Sequence, residues 1–323
     1  MMSRIALISS LAIACASCVN GRNTEPTVDV VPLYDIIGSF SALDDAAKSC
    51  ALSDDSAEFA AFMSVVSGEP LDVSLVESWA SSKAVEVFTP VVDSVFDGAS
   101  VAGDLGHILA AAKDHGLELP RRRYAEVVYG RPESILFVDS VMLIALNHYL
   151  GSDFAGYTHL PLYMRMVKTP SMLPYDIAEA MVGTSYPYQP AAGSTVLSRM
   201  LYEGALAYAK EKLVRGADPA LCLGYAPEQY KWLDHNEKDI WATMVAKGIL
   251  FDTAESAASR MVDPAPTTPD IAPEAPGRLG RFVGYRMVKS YIDHNPDQAD
   301  LLYLLSPEFY NNPAILQRVS YNP

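Results

Sequence analysis

The chain has 323 residues, 50% of them hydrophobic, and a formal net charge of −15. That length and apolar content can bury a large core, as one big domain or two closely joined ones. The acidity excludes binding to nucleic acid or anionic lipid by general electrostatics.

The N-terminus carries an export pattern. Arg4 supplies a short positive segment, Ile5 to Ala14 is apolar and uncharged, and Ala16-Ser17 leads into Cys18. The run is too short to span a bilayer, and it ends in cysteine rather than in an Ala-x-Ala cleavage site. We read residues 1–17 as a lipoprotein signal peptide and Cys18 as the acylated residue, palmitate among its chains, with Cys15 as the alternative. Residues 18–30 are polar with Gly21 and Pro26 and read as a flexible tether. Residues 31–323 read as a single globular domain, and no later apolar stretch is long enough to cross a membrane. Beyond the signal lie only Cys50 and Cys222, read as two buried thiols, although export would permit them to pair.

From there the spacing predicts helices. Phe59, Phe62, Met63 and Val66 share one face, with Gly68 as a stop. Phe88, Val91, Val92, Val95 and Phe96 make a second stripe around Pro90, and Leu105, Ile108, Leu109 and Ala112 a third that ends at Gly116. Arg121-Arg122-Arg123 reads as a short solvated run or a docking patch. Tyr124 to Tyr129, Ser134 to Val138 and Val141 to Leu146 are rich in β-branched and aliphatic residues, with a Gly130-Arg131-Pro132 turn. They predict a small antiparallel sheet.

Helical patterns return after Pro174. Ser194 can cap a helix through Leu197, Met200, Leu201, Gly204 and Tyr208 that stops at Gly216. Lys210, Lys212 and Arg215 in its last turn suit the negative end of the helix dipole. Ala226-Pro227-Glu228 opens another helix, and Asn236 with Asp239 a further one. Five prolines between Asp263 and Pro276 exclude a regular helix or inner strand, which leaves an extended surface loop. Arg281 to Asp293 is the last strong helix. The fold class is α+β, mostly α-helical.

The usual catalytic motifs are missing. None of the six histidines is followed by glutamate, and no Gly-x-Ser-x-Gly elbow or phosphate loop exists. No metal or cofactor is called for by the residues. Polar clusters remain as candidates. His148 and Asp153 follow the last strand, with His159 soon after; His148 reads either as a satisfied structural histidine or as part of a site. Glu203 sits mid-way along a small-residue helix whose opposite face must pack closely. If buried it needs a partner, for which Arg278, Arg281 or Arg286 is available.

Several stretches resemble the GldB family of gliding-motility lipoproteins from Bacteroidota. They are Asn147-His-Tyr-Leu-Gly-Ser-Asp153 with Leu160-Pro-Leu-Tyr163, then Gly224-Tyr-Ala-Pro-Glu-Gln-Tyr-Lys-Trp232 with Asn236-Glu237 and Asp239-Ile240-Trp241. The closing pair is Pro276-Gly-Arg-Leu-Gly-Arg-Phe-Val-Gly-Tyr-Arg286 onward and Ser320-Tyr-Asn-Pro323. The resemblance covers nearly the whole mature chain in order. It implies a degenerate zincin-like helical fold, similar to predicted zinc peptidases, in which Glu203-Gly204 keeps a Glu-Gly step. The metal-binding helix would lie near Asp176 to Val182, which has no histidine, so the resemblance implies an empty metal slot. Asn147 stands where the family is expected to carry aspartate.

The resemblance also implies a lipoprotein of the cell envelope that serves motility or secretion by binding envelope protein partners, and the lack of an acidic cluster in Val19-Asn20-Gly21 after Cys18 points to the periplasmic side of the outer membrane. The rival expectation is a divergent hydrolase using Glu203 with His148 or His159.

Overall fold

The computed structural model describes residues 28–323 apart from 97 and 299. The first part is helical: Leu33–Ser39, Asp45–Asp54, Ser56–Val66, Val73–Ala80, Lys83–Val95 and Gly98–Asp114. The predicted stripe holds, since Phe59, Phe62 and Met63 are all buried in one core cluster. Val28 and Val30 already pack against the other cluster, so packed chain begins ahead of the expected end of the tether. The acylation candidates Cys18 and Cys15 lie outside the described residues.

Three strands follow: β1 (Arg123–Val127), β2 (Ile135–Val138) and β3 (Val141–Ala145). The spatial order is β1-β3-β2. β2 and β3 form the antiparallel hairpin that was expected, turning through Asp139 at a φ of 50°. β1 and β3, however, run parallel, from Arg123 opposite Val141 to Val127 opposite Ala145. The sheet is therefore mixed, a correction to the purely antiparallel reading. The Gly130-Arg131-Pro132 turn does not fold β2 back onto β1. It carries the chain one strand further out, and β3 returns into the gap.

Side chains on β3 alternate between two cores. Met142 and Ile144 join the larger cluster, whereas Val141, Leu143 and Ala145 join the smaller one. A strand buried on both faces reads as an unbroken apolar run, which is why these segments were visible in the sequence. The same burial isolates Glu126 on β1. It is 2% exposed and its carboxyl is pushed up to about 7 by desolvation. The arginine run next to the sheet is not simply solvated. Arg123 pairs with buried Glu58 at 2.5 Å, and Arg122 lies 4.5 Å over the Phe137 ring.

Beyond the sheet, the larger core is built around Val196–Leu213 and Leu279–His294. Their backbones meet at Gly204 and Gly284. A Cβ on Gly204 would lie 2.2 Å from the Gly284 carbonyl carbon, and one on Gly284 would lie 1.8 Å from the Met200 oxygen. The close approach expected opposite Glu203 is thus a glycine-on-glycine crossing. Thr195, not Ser194, caps the first of these helices; Ser194 instead donates to Asn311 at 3.0 Å. The helix ends at Leu213, and among the described residues a 3-10 turn and three short α-helices follow the 279–294 helix, the last being Ile315–Val319.

A further expectation is borne out and another is corrected. Lys210 and Lys212 do lie in the last turn of the 196–213 helix, and Lys210 is fully buried there. Cys222 is buried but Cys50 is exposed, and both are free thiols. Cys50 sits on Asp45–Asp54, a helix that buries no residue completely, and its thiol donates to Asp54 one turn on.

Candidate functional site

A cavity of about 220 Å³ opens where the end of β3 meets the C-terminal helices. The β1–β2 connection gives Pro132 and Ser134, and the turn after β3 gives His148 and Tyr149. Lys168 comes from the connection before the Leu173–Ser185 helix, and Asp176 from that helix. The Pro-rich segment closes the rim with Pro264 and Ala265, and Arg278 stands at its end.

That segment is not a free surface loop. Thr268 accepts no exposure: its N–H donates to the Ala275 carbonyl at 2.8 Å and its hydroxyl to Pro276 at 2.8 Å. Tyr225 donates to the Gly277 carbonyl at 2.9 Å. A Cβ at Gly277 would lie 1.9 Å from the Ala265 oxygen, so only glycine lets the strap cross itself. The result is a rigid rim.

The sequence candidates divide. His148, Asp176 and Arg278 line the cavity together. Asp153 and His159 are exposed and are not part of its lining. Asn147 is structural, because its side chain accepts from the Tyr129 N–H at 3.2 Å and donates to the Tyr129 carbonyl at 2.8 Å. That explains how the strand end is held without an aspartate: an amide can serve both the donor and the acceptor of one backbone residue.

His148 stacks on Tyr129 with ring centroids 5.9 Å apart, and its Nδ1 lies 3.0 Å from the Ser134 hydroxyl. Burial, with the Lys168 charge nearby, pushes its imidazole down to about 3, so it is neutral throughout the physiological range. Tyr149 donates to Asp176 Oδ2 at 2.9 Å. Burial and the Glu179 charge push the Asp176 carboxyl up to about 6, against the opposing pull of Lys210, Tyr149 and Arg278.

A carboxyl raised in the fold binds its proton more tightly than in the unfolded chain. Its ionisation therefore removes stability between about pH 4 and pH 6, and the loss stays constant above that window. Asp176→Asn should then be more stable than the parent at neutral pH by about 1–2 kcal/mol, with the difference closing below about pH 4. Urea unfolding at both pH values measures this, and a difference independent of pH would contradict it.

Beneath the cavity runs a chain of ion pairs. Glu179 accepts from Lys210 in a short bond and from Arg281 at 2.8 Å. Arg281 lies 3.2 Å from Glu203, and Glu203 is 2.9 Å from Arg199, whose guanidinium covers the Tyr188 ring at 4.9 Å. Of the arginines proposed as partners for Glu203, Arg281 is the one that pairs. Glu203 does not line the cavity that holds His148.

Arg286 belongs to a separate cluster. It grips Glu237 with bonds of 3.0, 3.0 and 2.6 Å, and Tyr321 donates to the same carboxylate at 2.6 Å. Tyr321 also meets Trp241 edge-on at 5.0 Å, so the C-terminal residues are docked rather than loose. Tyr321→Phe keeps the ring contact and removes the hydrogen bond; equilibrium unfolding should show a loss of about 1 kcal/mol.

The stretches that build these two places coincide with those singled out in the sequence. A family model described as gliding motility protein GldB matches residues 33–323. The chain belongs to the GldB family. It is thereby a protein of gliding motility. No curated protein matches it, and no solved structure does. In this GldB chain, the Asn147 and Gly224 stretches form two walls of the cavity, and the Pro276 stretch supplies Arg278 and the strap crossing. The terminal Ser320-Tyr321 step is the lid on Glu237.

The residues do not fit the zinc ion that a peptidase likeness would call for. Glu179 already holds Lys210 and Arg281, and Glu203 holds the same Arg281 and Arg199, which saturates those two carboxylates. Among the described residues, no three His, Cys, Asp or Glu side chains converge as ligands. Sequence reasoning missed Lys168, Glu179 and Tyr149 as site residues. Lys168 had a signal, since it and Arg165 are the only charges in the otherwise largely apolar Leu160 to Met172 stretch. Glu179 had one too, one helical turn after Asp176.

Proposed function

We propose that this chain is a lipid-anchored component of the cell envelope that serves gliding motility and the associated protein secretion by binding, not by catalysis. Family membership supports the process. No helix among the described residues is long and apolar enough to cross a membrane, and an acyl group on Cys18, or on Cys15, would supply the attachment. Residues 31–323 would then form one globular unit behind the anchor, at the outer membrane and facing the periplasm.

One observation carries the binding role. The acidic groups that could serve acid–base chemistry, Glu179 and Glu203, are locked in ion pairs, while His148 stays neutral and engaged with Ser134. Asp176, whose carboxyl is raised to about 6, accepts from Tyr149, and the His148 imidazole in the same cavity is too weak a base to complete an acid–base pair with it. What faces the cavity instead is a fixed, pre-organised set of polar side chains, as a binding site requires.

Two measurements on native envelopes test the reading. Wild-type protein should incorporate labelled palmitate and sediment with the outer membrane, and Cys18→Ala should lose both. Crosslinking should then recover reproducible envelope partners with the anchor intact. Absence of any reproducible partner, or a hydrolytic activity abolished by Glu203→Gln with the fold intact, would overturn it.

A further inference from the structure

The cavity holds two cations that the protein leaves unsatisfied. The Arg278 guanidinium makes no hydrogen bond or ion pair with any described residue, although its neighbours Arg281, Lys210 and Arg199 are each paired. The Lys168 ammonium likewise has no hydrogen bond or ion pair among the described residues, and the Tyr157 ring lies 5.6 Å from it. Both side chains are substantially buried, and desolvation lowers both below their ordinary values. A desolvated cation without a partner is costly, and proteins that carry one at a cavity wall recover the cost when an anion arrives.

The local backbone is arranged to present Arg278. The residue has a φ of 61°, a conformation unfavourable for a side chain other than glycine, at the start of Leu279–His294. Opposite it, Gly224 lies at the left-handed end of the Pro219–Leu223 helix, and a Cβ there would come within 2.8 Å of Arg278 Nη1. The guanidinium therefore occupies space that the chain clears with a glycine.

Charge and shape narrow the ligand. Asp176 is the one carboxyl lining the cavity with Lys168 and Arg278, Glu179 behind it is already paired with Lys210 and Arg281, and His148 is neutral, so the site has room for one negative charge. A phosphate dianion would meet repulsion from Asp176, whereas a carboxylate matches the planar fork of an arginine with two parallel bonds. Met164, Val167, Met172 and Pro264 provide apolar wall for an aliphatic body. The volume of about 220 Å³ lies below the range usual for drug-sized ligands.

We propose that this cavity is a receptor site for a small organic monocarboxylate, bound by Arg278 and Lys168. The proposal rests on the binding role given above and assigns that role its ligand class. Asp176 opposes the incoming charge and limits the site to singly charged ligands.

The test uses the full mature chain and calorimetric titration at neutral pH with sodium butanoate, inorganic phosphate and butylamine as probes. Butanoate should bind saturably, and more tightly than phosphate. Arg278→Gln and Lys168→Met should each weaken it about tenfold or more, while Asp176→Asn should tighten it. That opposite response of Asp176→Asn separates ligand contact from general damage to the fold, which circular dichroism checks for each variant. Absence of saturable butanoate binding, equal binding of butylamine, tighter binding of phosphate, or unchanged affinity in Arg278→Gln would overturn the proposal. If butanoate fails while the envelope crosslinks persist, the ligand class is wrong and the binding role stands.

Discussion

Gly284→Val should destabilise the fold by about 3 kcal/mol or more, enough to lower the melting temperature by roughly 10 °C. The reason is geometric. Gly284 and Gly204 let Leu279–His294 and Val196–Leu213 touch backbone to backbone, and even a Cβ on Gly284 would fall 1.8 Å from the Met200 oxygen. No side-chain rotation relieves a clash with backbone, so the two helices must separate along their length. Those helices carry a large share of the larger core, including Met200, Leu201, Val283 and Met287, and separation would open it to water. Gly103→Ala is the control. Gly103 lies inside Gly98–Asp114 with nothing within 4 Å of an added Cβ. There the substitution should stabilise by about 0.5–1 kcal/mol through the unfolded chain. Melting curves of both variants decide it, and a Gly284→Val protein as stable as the parent would refute the crossing.

Glu179→Ala should be the most damaging change among the charged residues. It strips the partner from Lys210, which is fully buried, and from one end of Arg281, which is 4% exposed. Breaking a buried pair by removing one side costs about 3–5 kcal/mol, because the other charge stays buried without compensation. The lower end applies, since the Glu179 side chain keeps 31% of its surface and water softens the loss. The double variant Glu179→Leu with Lys210→Met should be less destabilised than Glu179→Ala alone, because it removes the buried charge together with its partner.

The sign of the pH effect follows. Burial alone would raise the Glu179 carboxyl, but the Arg281 and Lys210 charges outweigh it and hold the group well below the usual carboxylate range. A depressed carboxyl contributes stability that is complete above its unfolded value of about 4.3 and is lost as pH falls below it. Urea unfolding from neutral to acid pH should therefore show the parent losing stability in acid and Glu179→Ala losing less. Parallel pH profiles would contradict the ion-pair account.

What was legible in the sequence followed from periodicity. Phe59, Phe62 and Met63 repeat at helical spacing and share one core, and the three β-rich runs became strands within a residue or two of their expected ends. The Glu203-Gly204 step announced both a close helix contact and a need for a buried partner, and Arg281 was among the three arginines considered. Strand direction was not legible. A turn after β1 looks the same whether the next strand pairs with β1 or leaves a gap for β3. Nor was the burial of Lys210, because its position near a helix end fits the dipole equally well, and only Glu179 on a distant helix decides between them. Cavity residues suffered most. Arg278 stands far along the chain from Lys168 and Asp176, and no local pattern brings them together.

Surface spreading of the host lacking this gene tests the central claim most directly, when it is complemented either with the wild-type chain or with Arg278→Gln, Lys168→Met. Wild-type protein should restore spreading, and the double variant should fail to do so while reaching the envelope at normal levels with its fold intact. Full spreading with the double variant would contradict a motility role exercised through binding at this cavity.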